Sequence, residues 1–454
     1  MDLSDRTDSS KERPNTPIGV PGWRDRHPAW AVRSFKRAKR AKRAPALAST
    51  QESRARLSFV LLVYFVAIVA ILQLAPFGFL VPQDIRLVAL TDWRDALTAL
   101  VLFVPLGFLY PLTRMSEHSS RLHVALWSAL VATLIAAGRI FELDRDVAIA
   151  DIAAATAGAV FGATLLKAVN ARTRKSARLA GRLSLEIPLI GLIYLLLPLL
   201  VATSISAASD IRRMLMLLPL GFLAARLLSG VQEHHFGPAR VFTARSMCII
   251  AAGWTALGAF PAAFRYPLLT AGVVIVVAVA TLYDASRPSL HGGEERRFEA
   301  DILRSATPYV VVYFLDVLFL PLASGIDRWH FAMGLTGSGG DLAQQVVPLL
   351  EPITSLVLLG YLLAEARGRR ELKFRRVAAR VALECALVAV AIEASRGFQR
   401  QVGASALEFL LLVIAAVLGA GMYHHQRERV RWMLINRVGP ADAKRRVDAQ
   451  IRIA

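Results

Sequence analysis

Two arginines stand twelve residues ahead of two acids in a chain that is otherwise strongly apolar. Arg139 precedes Asp151, and Arg396 precedes Glu408. In each case the arginine closes one apolar run and the acid opens the next, so a short hairpin brings them within reach. Glu393 lies inside an apolar run, three residues before Arg396, and Arg145 lies in the first hairpin. A guanidinium fork binds carboxylate or phosphate groups in pairs, and a charge carried into apolar surroundings normally faces protein or water. These six residues, Arg139, Arg145, Asp151, Glu393, Arg396 and Glu408, are the candidates for a polar site. Asp92, Asp95 and Asp144 are secondary. For those three the simpler reading is helix-end acids that suit the helix dipole and side chains that reach back to the interface. A catalytic residue, a cofactor site and a metal site are not indicated. The histidines lack ligand spacing, and no phosphate loop or nucleophile motif is present.

The elements that must position these residues are membrane helices. The chain has 454 residues, is 55% hydrophobic and has a mean hydropathy of +0.47. About 20 apolar residues are needed to cross a bilayer as a helix. Twelve such runs lie between Leu57 and Tyr423. They predict an all-α, polytopic helical membrane protein, and no alternating pattern points to membrane strands. Residues 1–56 and 424–454 read as basic cytoplasmic tails, the first of them disordered, and residues 284–304 as a cytoplasmic linker. The net charge of +20 is read as orientation by lysine and arginine rather than nucleic-acid binding. With the N-terminus placed inside, 44 of the 54 basic residues fall in inner segments, and the 10 outer ones are all arginine. Both termini are therefore expected in the cytoplasm. Cys248 and Cys385 sit in apolar runs and read as packing residues.

The apolar runs also repeat. Ile135-Ala-Ala-Gly-Arg-Ile-Phe141 matches Ile392-Glu-Ala-Ser-Arg-Gly-Phe398 at an offset of 257, held without a gap through Asp151/Glu408 to Gly162/Gly419. Leu106-Gly-Phe-Leu109 matches Leu359-Gly-Tyr-Leu362 at an offset of 253, and Val104-Pro-Leu-Gly-Phe-Leu109 matches Leu218-Pro-Leu-Gly-Phe-Leu223. Twelve helices then divide into three four-helix units, 57–170, 183–283 and 305–423, the middle one degenerate. Gly158 and Gly162, spaced Gly-x-x-x-Gly, predict a close helix contact.

These residues resemble the VanZ-like family, which has four membrane helices per unit. Leu102-Phe-Val-Pro-Leu-Gly-Phe-Leu109 is close to its pattern, and Arg145, Asp151, Gly158 and Gly162 fit its last part. The family's leading Asn is Ala99 here, its Glu is Ala136, its Gln is Arg139 and its later Asn is Ala155. In the third unit the Glu is present as Glu393, the Gln position is Arg396 and the Asp position is Glu408. The resemblance implies a bacterial envelope protein, with a link to glycopeptide susceptibility of the teicoplanin type. The expectation is an inner-membrane protein that binds an envelope precursor or lipid headgroup at an outward-facing pocket shared by units one and three. Arg139 and Arg396 would contact the anion there. A transporter or flippase, and a membrane enzyme acting on lipid-linked glycan precursors, stay open beside it. The oligomeric state is not indicated.

Overall fold

The computed structural model describes residues 59–74, 87–89, 92–113, 120–141, 147–174, 187–236, 244–286, 295–324, 328–335, 342–368, 374–399 and 403–438. The expected N-terminal tail, and the chain beyond residue 438, lie outside them. The described chain is almost entirely helical. Eight of its helices are long and apolar enough to cross a membrane, and two shorter apolar helices, Phe59–Leu74 and Met247–Gly258, accompany them. This is a multi-pass membrane protein.

All twelve expected segments are helical. They are α1 (Phe59–Leu74), α2 (Trp93–Thr113), α3 (Arg121–Arg139), α4 (Ile149–Arg174), α5 (Ile187–Ser209), α6 (Leu217–Phe236), α7 (Ala244–Gly258), α8 (Pro267–Ser286), α9 (Glu295–Phe319), α10 (Leu342–Gly368), α11 (Phe374–Gly397) and α12 (Ala406–Val438). Several run past the apolar stretch that marks them in sequence. Helix α9 begins inside the expected 284–304 linker, because Glu and Arg are good helix formers and a helix need not stop where its apolar run stops. Two pairs of short strands were not expected. Leu87–Val88 (β1) pairs in parallel with Val147–Ala148 (β2), and Phe331–Ala332 (β3) with Ala404–Ser405 (β4). Each is two residues long, too short for an alternating pattern to signal it. Strands β2 and β4 are again 257 residues apart, and each leads straight into a helix that carries a site acid.

The tightest contacts are backbone to backbone. Helix α4 lies so close on α2 that a Cβ added to Gly158 would overlap the Leu100 carbonyl, and one added to Gly162 the Val104 carbonyl. From the other side, a Cβ on Gly107 would overlap the Ala159 carbonyl. The crossing of α10 and α12 repeats two of these three contacts, with Ala415 in the place of Gly158. Gly419 meets the Val357 carbonyl and the Tyr361 N–H, and Gly360 meets the Ala416 carbonyl. Small residues at such crossings let two helices approach where lipid supplies no hydrophobic drive between them. The corresponding contact of α6 with α8 is looser. Gly221 meets the Val277 side chain there instead of a carbonyl.

Helix α5 forms the centre. Of its most apolar 18-residue window, 83% is buried, against 17% for that of α9. Leu192, Leu196, Leu199 and Leu200 have no exposed surface, as expected of a helix that is apolar on every side. The outer helices reverse the soluble pattern. Helix α3 buries Val124, Ser128, Ala132, Ile135 and Ala136 and exposes Leu122, Leu126, Leu130 and Leu134. Lipid is as apolar as leucine, so the large side chains face outward and the small ones pack.

Replacing Gly162 or Gly419 by alanine should therefore cost at least the 1–3 kcal/mol, roughly, typical of overpacking, since a carbonyl cannot rotate away. Gly253, with nothing within 4 Å of an added Cβ, is the control. Thermal melting in detergent should fall by several degrees for G162A and G419A and hold for G253A. Equal melting of all three would show that the crossings are not tight in solution.

Candidate polar site

Arg139 ends α3, and Asp151 lies in the first turn of α4. The basic group thus stands at a helix C-terminus and the acid at an N-terminus, the ends that the backbone dipoles favour for each. The Arg139 Nη1 donates to Asp151 Oδ2 at 2.9 Å. Its Nε donates to the Gln73 carbonyl at 3.0 Å, and its Nη2 to Gln73 Oε1 at 2.7 Å. One arginine thereby fastens the ends of α1, α3 and α4 together. The two charged side chains keep only 16% and 10% of their surface exposed.

The second cluster has the same frame and different partners. Arg396 in the last turn of α11 donates from Nη1 to Glu393 Oε1 at 2.9 Å, and the same nitrogen meets Glu408 Oε2. Glu408 stands in the first turn of α12 with no side-chain exposure. Ser405 precedes that turn. Its Oγ accepts the Glu408 N–H at 3.2 Å and donates to the Gly334 carbonyl at 2.5 Å. The Ser405 N–H donates to Glu393 Oε2 at 2.8 Å. Ser405-Ala-Leu-Glu408 has the spacing of a capping box, but Glu408 is drawn off to Arg396 and Glu393 takes the N–H that it would have accepted. The β3 strand is held alongside by His330, whose N–H donates to the Gly397 carbonyl and whose carbonyl accepts from Ala404, both at 2.9 Å.

Both clusters lie at one end of the bundle. Arg212 reaches the Ala323 carbonyl, Ser395 the Leu318 carbonyl, and the Trp93 ring meets Phe264, all at that end. The contacts that each cluster makes are its own. No hydrogen bond or ion pair joins Arg139 or Asp151 to Glu393 or Arg396 among the described residues. The donors of both arginines already meet protein acceptors. Arg139 commits three nitrogens to protein acceptors, and an anion nearing Arg396 meets two carboxylates. These arginines are cross-links. Asp92 accepts the Arg94 N–H at 3.0 Å, and the exposed Asp95 lies near enough to Asp151 for their charges to interact. Arg145 and Asp144 lie outside the described residues.

Sequence reasoning passed over Gln73 and Ser405, although the Ser-x-x-Glu spacing was there to read. It also passed over a third pair. Arg213, in the short 3-10 turn Ile211–Met216, donates to Glu351 Oε2 at 2.9 Å. Glu351 is 3% exposed and stands between Pro348 and Pro352 in α10. The Tyr313 hydroxyl lies beside this pair and beside the hydroxyls of Thr203 and Ser355. The Glu351 Oε1, the Tyr313 hydroxyl and the Thr203 hydroxyl complete no hydrogen bond with protein. An acid inside an apolar run of membrane length was the available signal.

No family model, no curated protein and no solved structure matches the chain.

Breaking a buried ion pair on one side strands the other charge and costs about 3–5 kcal/mol, whereas replacing both partners by apolar groups is often nearly neutral. D151A and E351A should each lower the melting temperature sharply, and R139M/D151L should recover most of the first loss. D92A, at an exposed position, should have little effect. A double variant no more stable than D151A would show that the pair is not the source of the loss.

Proposed function

We propose that the chain is a VanZ-like protein of the bacterial inner membrane, with both termini cytoplasmic, that binds an envelope precursor or a lipid headgroup at its outward-facing end. On this reading the bundle has twelve membrane helices in three four-helix units. The observation that carries it is the recurrence of a whole local construction. The strand that enters the helix, the acid that opens it, the arginine staple and the crossing glycine recur 257 residues apart, while the partner strand recurs at 244 and the partner face of the crossing at 253. Chance likeness between apolar helices does not reproduce a backbone contact at matching positions, so duplication is supported for units one and three. The excess of lysine and arginine in the opposite segments supports the outward direction of the polar end. The gathering of charge at that end supports a headgroup-level role over a midplane one. The two staples serve as its frame, and the association with teicoplanin-type susceptibility follows from the family resemblance.

The test is deletion, followed by profiling of envelope lipids and of glycopeptide susceptibility, with restoration by the wild-type gene. E393Q keeps the side chain's shape and should leave the protein folded and the restoration largely intact, whereas D151A should restore poorly in proportion to its lost stability. A deletion strain with unchanged lipid profile and unchanged susceptibility under envelope stress would refute the proposal.

A further inference from the structure

Three arginines at the polar end, Arg139, Arg213 and Arg396, are neutralised by buried acids. Two others are not. Arg94, in the first turn of α2, and Arg265, in the turn before α8, are exposed and form no ion pair among the described residues. For Arg265 the reason lies in the helix that follows it. The first turns of α4 and α12 carry Asp151 and Glu408, but that of α8 carries no acid. Of the acids beside Arg94 in sequence, Asp92 turns its carboxylate to a backbone N–H, and Asp95 lies near enough to Asp151 for their charges to interact.

These two arginines line one open cleft of about 660 Å³, together with Ser209 and an apolar floor of Ile205, Ala208, Pro261 and Phe264. The Arg94 guanidinium carbon lies 5.7 Å from the Trp93 ring centre and 5.9 Å from that of Phe264. Cation–π contact on both rings holds the charge in place without neutralising it. The apolar windows of α2 and α8 begin at Trp93 and Pro267, so the cleft sits at the boundary of the apolar slab, where tryptophan is favoured. Two uncompensated forks above an apolar floor at that depth match a phosphate with a hydrocarbon chain attached.

We propose that the Arg94–Arg265 cleft binds the phosphate group of an anionic amphiphile, with Arg94 and Arg265 as the anion contacts and the floor taking the first carbons of the chain. This gives the polar end a ligand class. It rests on the reading above only for the side of the membrane that the cleft faces.

The test is native mass spectrometry of the full chain in detergent, with phosphatidylglycerol as probe, phosphatidylcholine as zwitterionic control and inorganic phosphate as competitor. Phosphatidylglycerol should bind in preference to phosphatidylcholine. R94Q and R265Q should each weaken it about tenfold, the loss expected for one hydrogen bond to a charged group, with the melting temperature unchanged. R121Q, an exposed arginine at the opposite end, should bind as wild type. Equal binding of the two lipids, or undiminished binding by R94Q/R265Q, overturns the proposal. Displacement of the lipid by inorganic phosphate at comparable concentration assigns the cleft to a free anion and overturns the amphiphile part. The measurement is blind to membrane orientation and phenotype. Failure of the deletion test leaves it standing, and its own failure leaves the envelope reading to be judged by the deletion strain.

Discussion

A charge at the edge of an apolar slab has to be met by an opposite charge or by water, and this requirement organises the polar end of the bundle. An unpaired charge at depth costs a few kcal/mol even on lenient scales. Arg139 and Arg396 meet it by standing at helix C-termini, facing acids at helix N-termini across a hairpin. Each pair therefore gains from the dipoles of both helices and at the same time fixes the spacing between them. The strand pairs β1–β2 and β3–β4 serve the same end. They give the backbone that enters α4 and α12 hydrogen-bonding partners where water is scarce, and so deliver Asp151 and Glu408 at a set height.

The staple holds only the ends of the helices. Along their length, α2 on α4 and α10 on α12 are positioned by glycine against carbonyl oxygen, a contact with no side chain to adjust. The two constraints are complementary: the crossing sets the separation of the helices, and the ion pair sets their axial register. The middle unit has neither in full. Gly221 meets a flexible Val277 side chain, and α8 opens without an acid. Its first helix, α5, is instead enclosed by the other units and supplies the centre of the molecule. The helices α5 to α8, which lack both features in full, thus include the one in the interior position. There apolar packing on all sides takes over from staples, and the arginine left at its outer turn is unpaired.

Much of this was legible in the sequence. The all-helical, multi-pass character and the approximate position of the helices follow from apolar run length, because the bilayer fixes how much chain a span must use. The pairing of Arg139 with Asp151 follows from residue type and hairpin length, and the tight crossing from Gly158 and Gly162. What escaped depends on contacts between distant segments. Gln73 lies 66 residues from the arginine that it serves, and Glu351 lies 138 from Arg213. Nothing local in the sequence announces either partner. The partners of Arg139 and Arg396 depend on the fold in the same way. Whether an arginine is free to bind a ligand depends on how many of its donors the fold has already used, and residue type does not record that.

The same consideration separates the charges that hold the protein together from those that can meet something else. Glu393 and Ala136 occupy equivalent positions, and the difference shows how such a frame tolerates change. Unit three supplies Glu393 three residues before its arginine, whereas unit one reaches across to Gln73 on another helix. Either answer satisfies the guanidinium, so the polar residue at that position can be exchanged while the staple survives. A free arginine is under no such local demand. Arg94 and Arg265 are held by aromatic rings and a turn, at a depth where an uncompensated positive charge attracts anions from the headgroup layer. Within this bundle the buried pairs account for the shape of the polar end, and the exposed, unpaired arginines account for what that shape presents.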